Sequence, residues 1–175
     1  MNQIITLSKK ICMLGSFGVG KTSLVRRFVY NEFQESYQST LGVQIHKQSI
    51  QIGQNPRYQF HFILWDIAHI EKFDSVIKSY FHGAHGAVVV FDVTRAQTFD
   101  QVDSYLKPFL TTNPQSKLVF VANKIDLIEP SDHIMEQLLQ ISKIYKKPYV
   151  QTSAKQNLNI ETVFTRLGEQ FIKVD

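Results

Sequence analysis

Cysteine is nearly absent from this chain of 175 residues, and its scarcity limits how the fold can be held together. The single cysteine, Cys12, has no partner for an internal disulfide, which excludes a disulfide-stapled scaffold. Cys12 lies among Ile11, Met13 and Leu14, and these apolar neighbours predict a buried, inert thiol. Stability must then come from a packed core, and a chain of 20.2 kDa is large enough to form one.

Long apolar runs are missing as well. No stretch of about 18 apolar residues occurs, so the sequence predicts no membrane-spanning helix. The N-terminal segment, MNQIITLSKK, lacks the basic region and long apolar stretch of a secretory signal. Together with the near absence of cysteine, these features predict a cytosolic protein. Peripheral attachment to a membrane would need a lipidated tail, and no cysteine follows Cys12 to carry a prenyl group.

Concentrated charge is the third absence. The net charge is +4 and the pI about 9.1, yet the basic residues are spread along the chain. The densest group, Lys143, Lys146 and Lys147, is interrupted by apolar residues, and no aromatic platform accompanies it. We therefore expect no nucleic-acid partner. Hydrophobic residues at 43% and charged residues at 19% are ordinary for a globular protein and exclude a disordered chain.

What the sequence does contain is an alternation of apolar runs of strand length with segments of helical period. The predicted strands are Lys10–Leu14, Gly42–Ile52, Arg57–Trp65, Gly86–Asp92, Lys117–Ala122 and Tyr149–Gln151, and the predicted helices are Lys21–Tyr30, Phe73–His82, Thr98–Leu110, Asp132–Lys146 and Ile160–Lys173. This alternation is typical of an α/β fold, a mostly parallel sheet with helices on both faces. The turn signal Gly53–Pro56 predicts an antiparallel hairpin. Repeats, low-complexity segments and linkers are absent, so we expect one domain over residues 1–175.

The loop after the first predicted strand matches the phosphate-binding pattern G-x-x-x-x-G-K-[ST]. It comprises Gly15, Ser16, Phe17, Gly18, Val19, Gly20, Lys21 and Thr22, and the following Ser23 is assigned to the same site. Because the loop leaves a strand and opens a helix, its backbone N–H groups can surround a phosphate. Lys21 adds a positive charge for the outer phosphates, and the Thr22 hydroxyl can ligate magnesium. The loop alone fits ATP and GTP equally well.

A second motif, Asn123-Lys124-Ile125-Asp126, concerns the base. It follows the predicted strand Lys117–Ala122 at the carboxyl edge of the sheet, where ligands bind in such folds. The Asp126 carboxylate can accept hydrogen bonds from N1–H and N2–H₂ of guanine, a pair of donors that adenine lacks. Asn123 can reach the other edge of the base, and the Lys124 stem can lie across the ring. These residues favour guanine and argue against a P-loop ATPase or small-molecule kinase.

A third string, Thr152-Ser153-Ala154-Lys155, follows the last predicted strand. A backbone N–H of Ser153, Ala154 or Lys155 can reach the guanine O6 from there. The phosphate loop and these two strings occur in this order along one chain, which a chance match does not explain.

With these motifs the chain resembles the Ras superfamily of small GTPases, and the Rab group most closely. The resemblance runs from Lys10 to about Ile172 and includes LWDIA at Leu64–Ala68 and EKFDSVIKSYFHGAHGAVVVFDVT at Glu71–Thr94. It implies a P-loop small-GTPase fold of six strands, one of them an antiparallel edge strand, with five flanking helices. It also implies a monomer that binds GTP or GDP with magnesium. Two of its loops would change shape with the nucleotide, and protein effectors and regulators would read them.

The same resemblance gives roles to three further residues. Thr40 would be the threonine of the first switch, touching magnesium and the terminal phosphate. Asp66 would hold magnesium through a water. Thr22, Thr40 and Asp66 together are the predicted metal set. Phe33 would pack edge-on against the guanine, whereas without the resemblance it would be interpreted as an ordinary core or surface aromatic.

Two departures from the family pattern concern hydrolysis. The second switch normally reads D-T-A-G-Q, whereas here Asp66 is followed by Ile67, Ala68, His69 and Ile70. His69 keeps the backbone N–H but loses the φ/ψ freedom of glycine. Ile70 replaces the glutamine that orients the attacking water, so no catalytic residue is assigned. Losing one such contact usually slows the reaction by about 10²–10³.

Phe17 is a third departure, because Ras proteins have glycine there. Its ring could crowd the terminal phosphate and obstruct an arginine supplied by a partner, or it could point outward and cover the loop. Two functions therefore stay open. One is a nucleotide-controlled switch with slow hydrolysis, and the other is a hydrolysis-deficient interaction module permanently bound to one nucleotide.

Overall fold

The structure is a computed structural model that describes residues 4–34, 40–68, 75–128 and 132–172. Its strands are β1 (Ile4–Leu14), β2 (Val43–Ile52), β3 (Arg57–Ile67), β4 (Gly86–Asp92), β5 (Lys117–Asn123) and β6 (Tyr149–Thr152). They form one sheet in the order β2-β3-β1-β4-β5-β6. Every neighbouring pair is parallel except β2 and β3, which confirms the predicted six-stranded sheet with one antiparallel edge strand.

The described helices are α1 (Lys21–Tyr30), α2 (Ser75–Phe81), α3 (Gln97–Asp100), α4 (Val102–Thr112), α5 (Asp132–Tyr145) and α6 (Ile160–Ile172). The five predicted helices are confirmed. The one predicted from Thr98 is divided at Gln101 into the four-residue α3 and the longer α4. No described helix is long and apolar enough to cross a membrane.

β1 begins at Ile4, earlier than its predicted start at Lys10. This first half pairs with β3, from Ile4 opposite Arg57 to Lys9 opposite Phe62. Its side chains alternate between exposed and half-buried positions instead of forming a buried run. The apolar run that predicted the strand therefore marks only its second, buried half.

The β2–β3 hairpin is confirmed, and its turn begins at Gly53 with φ +81. A Cβ at Gly53 would lie 3.0 Å from the Pro56 carbonyl oxygen, so glycine suits both the conformation and the space. From this turn β3 runs back along β1, and Asp66 comes to lie opposite Met13. The end of β3 thus lies beside the start of the phosphate loop.

Two apolar layers cover the faces of the sheet. Successive β1 residues point to opposite faces, so Cys12 and Leu14 join one layer while Ile11 and Met13 join the other. The first layer includes residues of α2 to α5, and the second includes residues of α1 and α6. Cys12 is buried, as predicted, and burial raises the pKa of its thiol to about 12.

The carboxyl ends of the parallel strands bring the predicted motifs to one edge of the sheet. β1 leads into the phosphate loop, β5 ends at Asn123, and β6 ends at Thr152. Asn123 lies opposite Asp92 of β4 on one side and Thr152 of β6 on the other. Residues that are distant in sequence become neighbours at the edge where such folds bind ligands.

Candidate functional site

Two glycines let the phosphate loop approach the neighbouring strands closely. Gly15 has φ +142, and a Cβ there would lie 2.3 Å from the Val90 carbonyl oxygen. Gly20 has φ +101, and a Cβ there would lie 2.3 Å from Nδ2 of Asn123. Both positions require glycine because a side chain would have to displace β4 or the end of β5. The motif thus fixes the loop to the sheet as well as shaping it around a phosphate.

Lys21 lies across this loop and is buried. Its Nζ donates to the carbonyl oxygens of Gly15 at 2.7 Å and Ser16 at 3.1 Å. Burial lowers the pKa of Lys21 to about 8, and the charge of Asp66 opposes this shift. A phosphate beside Nζ would favour the charged form and raise this pKa again. The position of Lys21 is therefore one at which a bound anion would stabilise the charged form of its side chain.

Thr22, Thr40 and Asp66, the predicted metal set, lie together. Thr22 Oγ1 donates to Oδ2 of Asp66 at 2.5 Å and lies 2.7 Å from Oγ1 of Thr40. Asp66 is fully buried, and its Oδ1 has no hydrogen-bond partner among the described residues. Burial raises the pKa of Asp66 against the opposing effects of the Thr22 hydrogen bond and of the charges of Lys21 and His46.

This set of oxygen atoms fits a magnesium ion. Magnesium is usually held by one or two carboxylates together with phosphates and waters. The buried Oδ1 of Asp66 is an acceptor that needs such a partner, since unpaired buried polar atoms are rare and costly. Among the described residues, no group of three or more His, Cys, Asp or Glu side chains offers an alternative metal site.

The Asn123 side chain connects three parts of the site through hydrogen bonds, which the sequence alone did not predict. Its Nδ2 donates to the Val19 carbonyl oxygen at 2.9 Å. Its Oδ1 accepts from the Thr152 hydroxyl at 3.0 Å and from the Ala154 backbone N–H at 3.3 Å. The buried side chain therefore joins the phosphate loop, β5 and the loop after β6. Its predicted contact with the base stays a prediction, and the second hydrogen of Nδ2 could make it.

Asp126 faces the loop that follows β6. The buried Ser153 hydroxyl donates to Oδ1 of Asp126 at 2.6 Å, and its oxygen accepts from the Gln156 backbone N–H at 3.0 Å. Because Asp126 is partly exposed, its carboxylate is oriented by Ser153 and still open to a ligand. Lys124 has φ +71, and its Nζ lies 2.7 Å from Oδ2 of Asp92. The structure thus brings the second and third predicted motifs together.

Arg27 of α1, which the sequence analysis missed, connects Phe33 with the third motif. Its Nε donates to the Ala154 carbonyl oxygen and its Nη2 to that of Lys155, each at 2.9 Å. Its guanidinium carbon lies 5.9 Å from the centre of the Phe33 ring. Phe33 is thereby placed near the loop that was predicted to approach the guanine O6.

A second group that the sequence analysis missed follows β4. Asp92 is buried, and its Oδ2 is bound by Lys124 and by Nε of Arg95 at 3.0 Å, while Thr94 donates to its Oδ1. Burial would raise the pKa of Asp92, but the hydrogen bonds from Lys124 and Thr94 outweigh it and lower the pKa. The available signal was a carboxylate at the end of an otherwise apolar strand, Gly86–Asp92.

Phe17 is held through its backbone, because Nη2 of Arg95 donates to its carbonyl oxygen at 2.8 Å. The residue is 51% exposed, which fits an outward orientation, one of the two interpretations that the sequence left open. His69 and Ile70 lie outside the described residues. Their effects on hydrolysis stay predictions.

The sequence model of the Ras family matches residues 10–173, a stretch that holds the phosphate loop, the metal set and both base motifs. The chain belongs to the Ras family. This Ras-family chain is 35% identical over 176 residues to Ras-related protein Rab-32A of Dictyostelium discoideum, covering 95% of this chain and 78% of that relative. It is 32% identical over 163 residues to Ras-related protein Rab-1 of Theileria annulata, covering 91% and 72%. It is 30% identical over 167 residues to human Ras-related protein Rab-22A, covering 95% and 84%.

Family membership assigns the function at a general level. The predicted resemblance to the Ras superfamily, and within it to the Rab group, is confirmed, as is the small-GTPase fold. A Ras-family protein binds a guanine nucleotide and works as a GTP-binding switch, with protein effectors and regulators as partners.

Proposed function

We propose that this Ras-family chain is a magnesium-dependent switch, a single domain and a monomer, that cycles between GTP and GDP and hydrolyses GTP slowly. The observation that carries the proposal is the meeting of Thr22, Thr40 and Asp66 around hydrogen bonds of 2.5 and 2.7 Å. The three residues come from α1, from the loop before β2 and from the end of β3. Two hydroxyls and one buried carboxylate are the oxygen ligands that a magnesium–phosphate complex needs.

The described contacts support a role for particular residues at each part of the nucleotide. Magnesium bound at the metal set neutralises charge on the terminal phosphates. The phosphate-loop backbone and Lys21 hold the phosphates, and the Asp126 carboxylate, oriented by Ser153, accepts from the guanine N1–H and N2–H₂. Phe33 packs beside the base. An adenine would leave the Asp126 carboxylate without its donors, which is the source of base selectivity.

Thr40 is the element that senses the nucleotide. It lies in a loop ahead of β2, and its hydroxyl is 2.7 Å from that of Thr22 in α1. In the GTP form the Thr40 hydroxyl would bind magnesium and the terminal phosphate, and loss of that phosphate on hydrolysis would remove the contact. The loop before β2 is then free to adopt another shape.

An apolar surface beside Thr40 offers protein partners a place to bind. We define it by Ile45, which is 51% exposed, Trp65 and Tyr80, while Leu41, which is 86% exposed, follows Thr40 in the sequence. Ile45 lies opposite Trp65 in the β2–β3 ladder, so the two side chains share a face of the sheet. The Trp65 ring lies 6.2 Å from the Tyr80 ring. Aromatic and aliphatic side chains grouped at a surface are typical of protein interfaces.

Slow hydrolysis follows from Ile70 and His69. An isoleucine side chain can neither donate a hydrogen bond to the attacking water nor accept one from it, so the water loses one positioning contact. The same two residues support the second candidate, a hydrolysis-deficient module that keeps one nucleotide permanently. A regulator that supplies both an arginine and a glutamine would restore turnover in the first case.

Nucleotide extracted from freshly purified protein and identified by chromatography separates these functions. Mostly GDP that exchanges with added nucleotide supports the switch, whereas uniform GTP that persists for hours supports the module. A protein that carries no guanine nucleotide and binds no fluorescent GDP would contradict both. In single-turnover assays we expect bound GTP to be hydrolysed about 10²–10³ times more slowly than in glutamine-bearing relatives. An equal rate would contradict slow hydrolysis.

A further inference from the structure

The segment that follows β4 contacts the phosphate loop at two places. Nη2 of Arg95 donates to the Phe17 carbonyl oxygen at 2.8 Å. The Ser16 hydroxyl donates to Oε1 of Gln101 at 2.7 Å. Neither Arg95 nor Gln101 belongs to the three motifs that bind the nucleotide. Their side chains bind two consecutive residues of the loop.

Arg95 also reaches the base motif through a buried carboxylate. Its Nε lies 3.0 Å from Oδ2 of Asp92, and the same oxygen lies 2.7 Å from Nζ of Lys124. A single guanidinium thus connects the phosphate loop with Asp92, and Asp92 in turn binds Lys124 of the base motif. The two contacts are made by different nitrogens of the guanidinium fork, whereas a lysine would have to make both from one ammonium nitrogen.

The contact with Phe17 also orients the next peptide N–H. In a planar trans peptide the carbonyl group and the following N–H point in opposite directions. Because Arg95 binds the Phe17 carbonyl oxygen, the N–H of Gly18 points away from Arg95. That N–H is one of the phosphate-loop donors assigned to the nucleotide. Arg95 therefore limits rotation of the Phe17–Gly18 peptide.

We propose that Arg95 is a positioning residue that fixes the phosphate loop relative to the base motif and thereby slows nucleotide release. The inference rests on the proposed function, because it concerns the same nucleotide site. To leave, a nucleotide must separate from both the phosphate loop and the base motif. Arg95 and Asp92 tie these two parts together at a second point besides the bond from Asn123 to Val19, and both ties oppose their separation. Gln101 supports the same arrangement at Ser16.

Release of fluorescently labelled GDP from the magnesium-loaded protein into excess GDP tests this role. Losing a charge-assisted hydrogen bond usually changes an equilibrium by about tenfold or more, so we expect Arg95→Ala to release GDP about tenfold faster. Arg95→Lys keeps a charge beside Asp92 but lacks the second nitrogen that binds Phe17, and we expect it to release GDP nearly as fast as Arg95→Ala. Arg166→Ala, which removes an exposed arginine of α6, is the matched control and should keep the wild-type rate.

Two results would overturn the inference. One is a wild-type release rate in both Arg95 variants. The other is a wild-type rate in Arg95→Lys alone, since the ion pair with Asp92 would then be sufficient and the contact with Phe17 irrelevant. If Arg95→Ala fails to fold, as judged by its circular dichroism melting curve, Arg95→Lys decides. A wild-type protein that binds no GDP would contradict the proposed function itself, whereas tight binding with unchanged release contradicts only the role of Arg95.

The association rate distinguishes positioning from general destabilisation. A positioning contact acts on the bound complex, so we expect the association rate constant of labelled GDP to stay within about twofold of wild type while release accelerates. A variant that binds more slowly and releases at the wild-type rate would speak against the proposed role.

Discussion

Nδ2 of Asn123 donates to the Val19 carbonyl oxygen at 2.9 Å, and this bond joins the base motif to the phosphate loop across 104 positions of sequence. It also accounts for the glycine that follows Val19. A Cβ at Gly20 would lie 2.3 Å from the same Nδ2. The asparagine of one motif and the glycine of the other are therefore matched to each other, apart from any contact that either makes with the nucleotide.

Asn123→Ala tests this brace. It leaves the Val19 carbonyl, the Thr152 hydroxyl and the Ala154 N–H without their partner in a buried region. We expect the free energy of unfolding to fall by about 2–4 kcal/mol, measured by urea titration at fixed GDP and magnesium. Gln54→Ala in the exposed hairpin turn is the control and should cost less than about 0.5 kcal/mol. Similar losses for the two variants would show that Asn123 is not a brace.

Asp66→Asn tests the metal set. The amide keeps an oxygen for the Thr22 hydroxyl but carries no charge, so magnesium loses its carboxylate. In the wild-type protein, EDTA is expected to accelerate the release of labelled GDP by at least about tenfold, because the metal links the phosphates to the protein. In the variant, release is expected to be fast already and nearly insensitive to EDTA.

Asp100→Asn, at an exposed position in α3, is the control for this charge change and should respond to EDTA as the wild type does. An Asp66→Asn protein that keeps the full EDTA response would place the metal elsewhere.

Asp126→Asn tests the choice of base. A carboxylate accepts from two adjacent donors, whereas an amide offers one acceptor and one donor. Xanthine carries N1–H beside a carbonyl oxygen, which matches the amide. We therefore expect the variant to lose about 10²-fold or more in affinity for GDP and to gain affinity for xanthosine diphosphate. Competition against a labelled nucleotide measures both, with Asp103→Asn on α4 as the control. An unchanged preference for GDP would remove Asp126 from base recognition.

The sequence predicted the first and last residues of an element best where the local residues themselves determine those ends. α1 runs from Lys21 to Tyr30 as predicted, because the glycine loop sets its start and Asn31, at φ +57, ends it. β4 spans Gly86 to Asp92 as predicted, since an apolar run that ends in a single carboxylate suits a strand buried on both faces. The first half of β1 was missed because its alternating side chains contain no such run.

Contacts between distant motifs could not be predicted. Arg95 and Phe17 are 78 positions apart, and Ser16 and Gln101 are 85 positions apart. Nothing in the local sequence marks an arginine after a strand as the partner of a particular backbone carbonyl. The register of β1 against β4 brings these segments together, because it places Leu14, the residue before the phosphate loop, opposite Val89. The motifs therefore predicted a set of residues that the fold brings together, whereas the contacts that hold this set in place follow only from the arrangement of the sheet.

Ile70→Gln tests the origin of slow hydrolysis. The amide restores a group that can bind the attacking water, and positioning of that water is a large part of catalysis in this family of reactions. We expect single-turnover GTP hydrolysis to accelerate by about tenfold or more, and further when His69→Gly is added, because glycine regains the backbone freedom that the motif has lost. Ile144→Gln, at an exposed position in α5, is the matched control and should leave the rate unchanged. If Ile70→Gln and the double variant both hydrolyse GTP at the wild-type rate while binding it normally, the limit on hydrolysis lies outside the second switch, and the bulk of Phe17 becomes the next residue to vary.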